Sequence, residues 1–268
     1  MSDEALDVLA IGAHPDDAEL GCGGTLALLA AQGRRVGLAH LTHGEMGTRG
    51  TAEERRREAE GAAQALGAVS LDFLDCGDGG LRTGPQEEDA VIQLLRRRRP
   101  RLVLGPSPSD RHPDHGRAHR LVAAAAFYAG LRRRGDGSAH RPAAVFSYMQ
   151  HNPFEPRFIV DVTSAWETKL ASLACYRSQL HLQVSGQVSG QVSGQVSGEE
   201  ASPSDSVDRD PASQEPVTKV STPEFALSVE GRARHFGQLI GAAFGEPFWS
   251  TLPLAVRDPL TVVPGGVL

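Results

Sequence analysis

The residues best suited to chemistry form two short clusters rich in histidine and aspartate. The first is AHPDDAE at positions 13–19, and the second is DRHPDH at 110–115. Each follows a short apolar run, at 8–11 and 102–104, that is typical of a buried β-strand. The carboxyl ends of parallel strands lie along one edge of a sheet, where ligands bind. We therefore expect the two clusters to meet at a single metal site.

Three residues of these clusters form a set suited to a catalytic metal. Two imidazoles and one carboxylate leave a coordination position open for water, whereas structural zinc sites are filled by protein ligands. On this basis we predict that His14, Asp17 and His115 bind the metal. Zinc is the expected ion, and Fe²⁺ is the alternative because the same donors suit both. Such a metal lowers the pKa of a bound water and polarises a carbonyl, which favours hydrolysis over redox chemistry.

Neighbouring polar residues can supply the other groups that hydrolysis needs. Asp16 stands beside a ligand, where a general base for the attacking water is required. His112 would either stabilise the developing oxyanion or protonate the leaving amine, and Arg111 would add a fixed positive charge. Asp114 is expected to orient an imidazole by accepting its second N–H.

A simple turn is the alternative explanation for each His-Pro-Asp, because proline fixes φ and aspartate hydrogen-bonds locally. Two such turns, each placed after a strand, favour the metal site over that alternative. Five of the remaining histidines are assigned no role; they are His40, His119, His140, His181 and His235. His43 and His151 lie near the ends of predicted loops, but neither is included among the site residues.

Length and charge restrict the class of protein. A chain of 268 residues can bury a full core, and we predict a single domain over 1–268. The formal net charge is −6, and the largest basic run, at 96–99, ends a predicted helix, where cations offset the helix dipole. We therefore expect no nucleic-acid partner.

The sequence shows no sign of a membrane or of an oxidising compartment. No stretch approaches the roughly 18 apolar residues of a membrane-spanning helix, and the acidic N-terminus lacks the basic and apolar regions of a secretory signal. Cys22, Cys76 and Cys175 are odd in number and lack C-x-x-C spacing, which argues against disulfides and a thiolate zinc site. We expect a soluble, cytoplasmic protein with no membrane partner.

The order of predicted elements indicates an α/β fold. Apolar strand-like runs at 7–13, 35–42, 69–74 and 102–104 alternate with helical segments at 25–31, 51–65, 85–98 and 119–131. This alternation implies right-handed βαβ units and a Rossmann-like three-layer α/β/α fold with a mainly parallel sheet. Runs at 144–149 and 158–162 are too close for an intervening helix and predict additional edge strands. Two more helices are predicted at 164–180 and 223–241.

A tandem repeat interrupts the second half of the chain. The tetrapeptide QVSG occurs four times in succession over 183–198, and polar sequence rich in Pro and Ser follows. With one valine per repeat, this stretch lacks the apolar surface needed to offset chain entropy. A flexible insertion is predicted at about 183–216. A solenoid is the structured alternative, but known solenoid repeats are much longer.

Taken together, the two motifs resemble those of the LmbE-like, or PIG-L, family of zinc-dependent N-deacetylases. Within that family the chain is most similar to the deacetylases of bacillithiol biosynthesis, which act on N-acetylglucosaminyl malate. Further matching segments are Gly23 to Thr25, Leu41-Thr42 with Glu45, 175–179 and 230–234. The resemblance covers nearly the whole chain apart from 183–216.

The resemblance implies a role for each residue of the site. By this resemblance, the zinc ligands are His14, Asp17 and His115, and the general base is Asp16. His112 matches the general acid or oxyanion stabiliser, and Arg111 matches a residue that contacts the reacting carbonyl. Arg55 matches the position that holds an anionic aglycone, and a planar guanidinium suits the carboxylates of malate. Arg49 is the alternative for that role, and Glu45 is a further substrate-binding candidate. Tyr176 would line the sugar pocket or lie in the core.

The implied reaction is removal of acetate from N-acetylglucosaminyl malate. A deacetylase of another N-acetylglucosamine conjugate, such as a chitooligosaccharide, is one alternative. A sugar-binding or metal-binding protein without turnover is another, although a pure binder needs neither Asp16 nor His112. The resemblance also suggests a homo-oligomer, specifically a hexamer, which composition does not decide.

Overall fold

The computed structural model places a seven-stranded sheet between two layers of helices. It describes residues 5–180, 216–256 and 258. The QVSG repeat and His181 lie outside the described residues, as does the predicted insertion apart from Pro216. No helix in these described ranges combines the length and apolar character needed to cross a bilayer.

The strands form one mixed sheet. They are β1 (Val8–Gly12), β2 (Val36–His40), β3 (Ser70–Phe73), β4 (Leu102–Gly105), β5 (Ala144–Tyr148), β6 (Phe158–Asp161) and β7 (Gly245–Trp249). The spatial order is β3-β2-β1-β4-β5-β7-β6. β1 to β5 are parallel, whereas β7 runs antiparallel to both β5 and β6. The predicted α/β fold with a mainly parallel sheet is confirmed, but β5 is internal and only β6 of the two additional strands is an edge.

Six α-helices lie in the described ranges and cover the two faces of the sheet. They are α1 (Asp17–Ala31), α2 (Ala52–Ala65), α3 (Pro85–Arg98), α4 (Pro113–Tyr128), α5 (Trp166–Leu173) and α6 (Pro223–Leu239). Apolar residues of α3 and α4 form a core on one face. Those of α1, α2, α5 and α6 form the cores of the other face.

Local sequence signals explain where α2 and α3 begin. The Thr51 hydroxyl accepts a hydrogen bond from the Glu54 backbone N–H at 3.1 Å, and the Glu54 carboxylate accepts one from the Thr51 N–H at 2.7 Å. This capping box starts α2 as predicted. Helix α3 begins at Pro85, with acidic residues in its first turn and arginines in its last, the charge order that the helix dipole favours.

The glycine-rich stretch at 21–24 belongs to α1, which therefore begins earlier than the helix predicted at 25–31. The helix starts at Asp17 and kinks at Cys22, where φ is −145° and ψ is 19°. Gly21 lies against Tyr148, and an added Cβ would stand 2.1 Å from the tyrosine ring. These glycines therefore allow the backbone of α1 to approach the sheet closely.

The second cluster likewise lies at the start of a helix, not in a loop. α4 begins at Pro113 instead of His119, because proline suits the first helical position and the His112 ring accepts a hydrogen bond from the Asp114 backbone N–H at 3.2 Å. The helix predicted at 164–180 is shorter than expected. A 3₁₀ turn at Thr163–Ala165 precedes α5, and no side chain caps either segment.

A buried ion pair ties β7 to α1 and α5. Glu246 accepts hydrogen bonds from the Gly24 and Thr25 backbone N–H groups at 2.9 and 2.7 Å. These N–H groups follow the kink at Cys22, which interrupts the helical hydrogen bonds. The Lys169 ammonium lies 2.5 Å from the same carboxylate, and the two side chains are 3% and 2% exposed. One carboxylate thus satisfies the kinked helix and neutralises a buried cation.

We expect Glu246→Ala to lower the free energy of unfolding by about 3–5 kcal/mol, because it leaves the Lys169 charge buried without a partner. Urea denaturation followed by circular dichroism measures this loss. Glu230→Ala is the matched control, since Glu230 pairs with Arg234 on the exposed surface of α6 and should change stability by no more than about 0.5 kcal/mol. Equal effects of the two substitutions would contradict the structural role of Glu246.

Candidate active site

The two sequence motifs meet because β1 and β4 are neighbouring parallel strands. Val8 is paired with Leu102 and Ala10 with Leu104, so both strands end at the same edge of the sheet. α1 and α4 begin in the connections that follow those ends, at Asp17 and Pro113. The ligand candidates therefore lie at or beside the first turns of two adjacent helices.

Asp17 lies between the two imidazoles predicted to bind the metal. Its Oδ2 atom is 3.5 Å from His14 Nδ1, and its Oδ1 atom is 3.2 Å from His115 Nε2. The carboxylate also accepts hydrogen bonds from the His14 backbone N–H at 2.8 Å and from Gln150 Nε2 at 2.6 Å. All four residues are buried. The structure thus brings the three predicted ligands together.

Each imidazole presents its other nitrogen to an outer carboxylate. His14 Nε2 lies 3.0 Å from Asp78 Oδ1 and 3.6 Å from Asp114 Oδ2. His115 Nδ1 lies 3.3 Å from Asp110 Oδ1. Metal-binding histidines typically direct the nitrogen that faces away from the metal to such a carboxylate. This arrangement and the donor set fit a divalent metal held by His14, Asp17 and His115.

Two groupings of donors in the described part of the chain are more compact than the predicted set of His14, Asp17 and His115. Ligand atoms of His14, His112 and His115 lie within 4.8 Å of one another, as do those of His14, Asp78 and Asp114. Asp78 and Asp114 accept hydrogen bonds from loop N–H groups, as Asp17 does from His14 and Gln150. The His112 Nδ1 atom is used to cap α4. Asp17 is the carboxylate that lies near both His14 and His115, so it stays the predicted third ligand.

Burial and neighbouring charges shift the pKa values of these groups in opposite directions. Burial raises the pKa of Asp17, but His115 and His14 outweigh this and hold it well below its ordinary value. Burial lowers the pKa of His115, but Asp17 and Asp110 raise it overall to about 9. Burial also lowers the pKa of His14, yet three nearby carboxylates raise it well above its ordinary value. His14 and His115 therefore favour their protonated forms, and a metal cation bound by these imidazoles would replace the protons.

Asp16 occupies an unusual backbone conformation between β1 and α1. Its φ is 103°, in the left-handed region that costs a residue other than glycine about 1–3 kcal/mol. Its side chain is 11% exposed. Burial raises the pKa of Asp16, the positive charge of Arg55 lowers it, and the negative charge of Asp17 raises it further. The resulting pKa is about 7. A carboxylate with a pKa near neutrality suits a general base.

The site opens into a cavity of about 240 Å³. Asp16, Asp17 and the three motif histidines share its wall with Arg111 and His151. Because His112 Nδ1 accepts the Asp114 N–H, a neutral His112 carries its proton on Nε2 and can donate it. Arg111 is exposed at this wall, and its guanidinium makes no hydrogen bond to another described residue.

Of the four predicted substrate-binding residues, Arg55 alone lines this cavity. Arg55 lines the cavity, but its guanidinium is buried and bonded to backbone carbonyls. Arg49 donates to the Ser178 carbonyl, and Glu45 accepts the Asp78 and His43 N–H groups, so both support loops. Tyr176 is fully buried and donates to Glu19 at 2.7 Å. The prediction that Tyr176 lines the sugar pocket is therefore corrected: it is a core residue.

Sequence reasoning assigned no role to four residues that the fold brings to the site. Asp110 is the first residue of the second motif, five positions before His115, and its place in that motif was the available signal. Asp78 follows β3, while Gln150 and His151 follow β5, at the same edge of the sheet as both motifs. The His151 ring stacks on His115 with centroids 5.8 Å apart, and its backbone N–H donates to Asp110 at 3.1 Å. Polar residues just beyond neighbouring strands were the available signal.

Comparison with known proteins agrees with this geometry. Residues 9–126 match the family described as PIG-L: GlcNAc-PI de-N-acetylase. Diacetylchitobiose deacetylase from Thermococcus kodakarensis is 34% identical over 188 residues, which is 64% of this chain and 69% of the relative. The 4-oxalmesaconate hydratase of Pseudomonas putida is 31% identical over 201 residues, 68% of this chain and 77% of the relative.

A solved structure shows the same fold over nearly the whole chain. The conserved protein TT1542 from Thermus thermophilus superposes with a TM-score of 0.77 at 35% identity, covering 95% of this chain and 98% of that one. The similarities thus extend well beyond the two motifs.

We expect His14→Ala to abolish stoichiometric binding of Zn²⁺, because it removes one of three ligands from the site. Metal content after dialysis, measured by mass spectrometry, tests this expectation. His235→Ala is the control, since His235 is an exposed residue of α6 and should leave the bound metal unchanged. Retention of one Zn²⁺ per chain in His14→Ala would exclude His14 as a ligand.

Asp110→Asn should weaken Zn²⁺ affinity by about 10–100-fold, because it removes the negative charge that orients His115. Competition with a chromophoric chelator measures the affinity. Asp89→Asn serves as control, since Asp89 is half exposed on α3 and pairs with Arg134. If the affinities of the two variants are equal, Asp110 does not support the ligand.

Proposed function

Since the chain belongs to the PIG-L family of de-N-acetylases, we propose that it is a metal-dependent hydrolase that removes the acetyl group from an N-acetylglucosamine conjugate. One observation carries this proposal: a buried aspartate, Asp16, and a half-buried histidine, His112, line the same cavity as the metal-binding cluster. A base and an acid on one cavity wall are what amide hydrolysis requires.

The metal-binding residues prepare the cavity for a carbonyl substrate. His14, Asp17 and His115 would hold Zn²⁺ or Fe²⁺, which supplies an acidified water and a Lewis acid for the acetamide carbonyl. Gln150 and the His14 N–H keep the Asp17 carboxylate in place between the imidazoles. Asp110 orients His115 from the opposite side of the ring.

Asp16 accepts the proton of the attacking water. Its carboxylate is buried against the ligand cluster, so little solvent competes for that proton. As the water oxygen bonds to the carbonyl carbon, negative charge develops on the carbonyl oxygen. Arg111, exposed at the cavity wall, is the positive charge available to offset it.

His112 completes the reaction at the nitrogen. Its Nε2–H faces away from the helix cap and can stabilise the oxyanion, and in the imidazolium form of the ring it can instead move to the leaving nitrogen. The C–N bond then breaks, and acetate and the free amine of glucosamine are released. Burial and the two imidazoles near His112 lower the pKa of its imidazolium form, which keeps the ring neutral and favours the role of hydrogen-bond donor to the oxyanion.

The identity of the aglycone is a finer part of the proposal. N-acetylglucosaminyl malate, as in bacillithiol biosynthesis, is the substrate suggested by the sequence motifs, whereas the name of one relative suggests diacetylchitobiose. Hydration of a C=C bond, the activity named for the second relative, is the competing function.

We also propose a location, a binding partner and an oligomeric state for the enzyme. Cys22, Cys76 and Cys175 are free thiols, two of them buried, which supports a reducing, cytoplasmic location. The partner is a small amino-sugar conjugate, and neither nucleic acid nor a membrane is proposed as a partner. A homo-oligomer, with a hexamer as its proposed form, remains a prediction from the family resemblance.

Asp16→Asn should lower kcat for acetate release by about 10²–10⁴-fold, because an amide cannot accept the proton of water. Acetate is measured by a coupled enzyme assay with N-acetylglucosaminyl malate and with diacetylchitobiose. The Zn²⁺ content of the variant should match that of the wild type, and Asp89→Asn should retain full activity.

Three results would decide the function. Acetate release from either substrate supports the deacetylase, and the preferred substrate identifies the aglycone. Full activity of Asp16→Asn would overturn the role of this residue. A metal-loaded wild type that releases no acetate, but consumes an unsaturated carboxylate, would favour the hydratase.

A further inference from the structure

Arg55 is the buried guanidinium at the base of the cavity, and its contacts differ from those expected of a substrate-binding arginine. Its Nη2 atom donates to the Pro15 carbonyl at 2.5 Å, and its Nη1 atom donates to the Gly44 carbonyl at 3.3 Å. Nη2 also lies 3.5 Å from Asp16 Oδ2. Nε is buried without a hydrogen-bond partner among the described residues. Every hydrogen bond of the described guanidinium therefore goes to the protein's own backbone or to Asp16.

The loop after β2 is shaped around this guanidinium. Gly44 has a φ of 68°, and a Cβ added there would lie 2.0 Å from Arg55 Nη1. A Cβ added at Gly47 would lie 3.3 Å from the same atom. The glycines therefore leave room for the arginine head group between the loop and the first motif. The 5% exposure of the Arg55 side chain follows from this enclosure.

Helix α2 determines where the guanidinium reaches. The capping box at Thr51 starts the helix, and the Arg55 N–H donates to the Thr51 carbonyl at 2.9 Å, one turn later. Arg55 is thereby placed on the buried side of α2, while Arg56 and Arg57 are exposed and pair with glutamates on their own helix. Only one of the three consecutive arginines faces the site.

The first motif requires a restraint at this position. Asp16 adopts a φ of 103°, which a residue other than glycine rarely adopts unless its surroundings impose it. The carbonyl that Arg55 binds belongs to Pro15, and its peptide bond leads directly to Asp16. A fork-shaped cation can hold this carbonyl and attract the Asp16 carboxylate at the same time.

We propose that Arg55 is a positioning residue that holds Asp16 in its left-handed conformation, with its carboxylate directed into the cavity, and that it does not bind the substrate's aglycone. This inference rests on the proposed function only for its kinetic test. It replaces the role that the family resemblance implied for Arg55. The Pro15 and Gly44 carbonyls compete directly with any substrate anion for the same N–H groups.

The kinetic test separates positioning from substrate binding. In the metal-loaded enzyme, Arg55→Met should lower kcat by about 100-fold, the usual cost of a small displacement of a reacting group, with KM changed by less than about two-fold. In Arg55→Lys, kcat should fall by about 10-fold, because an ammonium cannot bind both carbonyls as the planar guanidinium does. Guanidinium chloride at millimolar concentration should restore part of kcat to Arg55→Ala in a saturable manner.

Arg57→Met is the matched control, because Arg57 is the same residue type on the same helix, 67% exposed and paired with Glu53. It should retain wild-type kcat and KM. A rise in KM for the malate conjugate with unchanged kcat in Arg55→Met would show that Arg55 binds the aglycone and would overturn the proposal. If Arg55→Met does not fold, the same comparison is made with Arg55→Lys.

A second measurement is independent of activity. A crystal structure of Arg55→Met, or of Arg55→Lys, should show that φ of Asp16 has left the left-handed region. An unchanged Asp16 backbone would overturn the proposal even if activity falls. If the wild type releases no acetate from either substrate, the proposed function fails, and this structure still decides the role of Arg55.

Discussion

The parallel pairing of β1 with β4 is the constraint on which the site depends. It brings two segments about one hundred residues apart to one edge of the sheet. Because α1 and α4 start at this edge, their positive N-terminal ends point toward the site and favour the carboxylates there. Neither motif has a complete set of ligands alone, so the site exists only when the sheet has formed.

Charge balance is the second consequence of this packing. Asp17, Asp78, Asp110 and Asp114 surround the His14 and His115 rings, and their side chains are at most 7% exposed. Burying several carboxylates around two imidazoles is costly unless cations compensate them. Protonated imidazoles supply part of this charge, which explains why the pKa values of both histidines are raised. A divalent cation at the same place would compensate the carboxylates more completely.

The second half of the chain supports the site without supplying its reacting groups. Gln150, after β5, holds the Asp17 carboxylate, and Tyr176, after α5, donates to the buried Glu19 of α1. Glu246 of β7 satisfies the N–H groups freed by the kink of the same helix and pairs with Lys169. These contacts hold α1, and therefore Asp17, in a defined position on the sheet. The second half of the chain thus adds mechanical support to reacting groups that lie in the first half.

Local sequence determined most of the regular elements and the identity of the motif residues, although α1 and α4 begin earlier and α5 ends sooner than predicted. The capping box at Thr51 and the charge order of α3 were sufficient to predict α2 and α3, because these signals act within one or two turns. The alternation of strands and helices predicted the parallel sheet, and the spacing of histidine and aspartate identified the residues that the structure brings together. Such features depend on contacts between residues close in sequence, and a sequence displays them directly.

Only the tertiary structure decided which side chains face the cavity and what they contact. The sequence presents three equivalent arginines at 55–57, and only the fold shows that Arg55 is buried against Pro15 and Gly44. Tyr176, a candidate for the pocket, is enclosed by the core, whereas Gln150 and His151 reach the site because β5 pairs with β4 in the sheet. The physical reason is that these contacts join residues from 11 to 157 positions apart and depend on how the helices pack on the sheet, which local propensity does not encode.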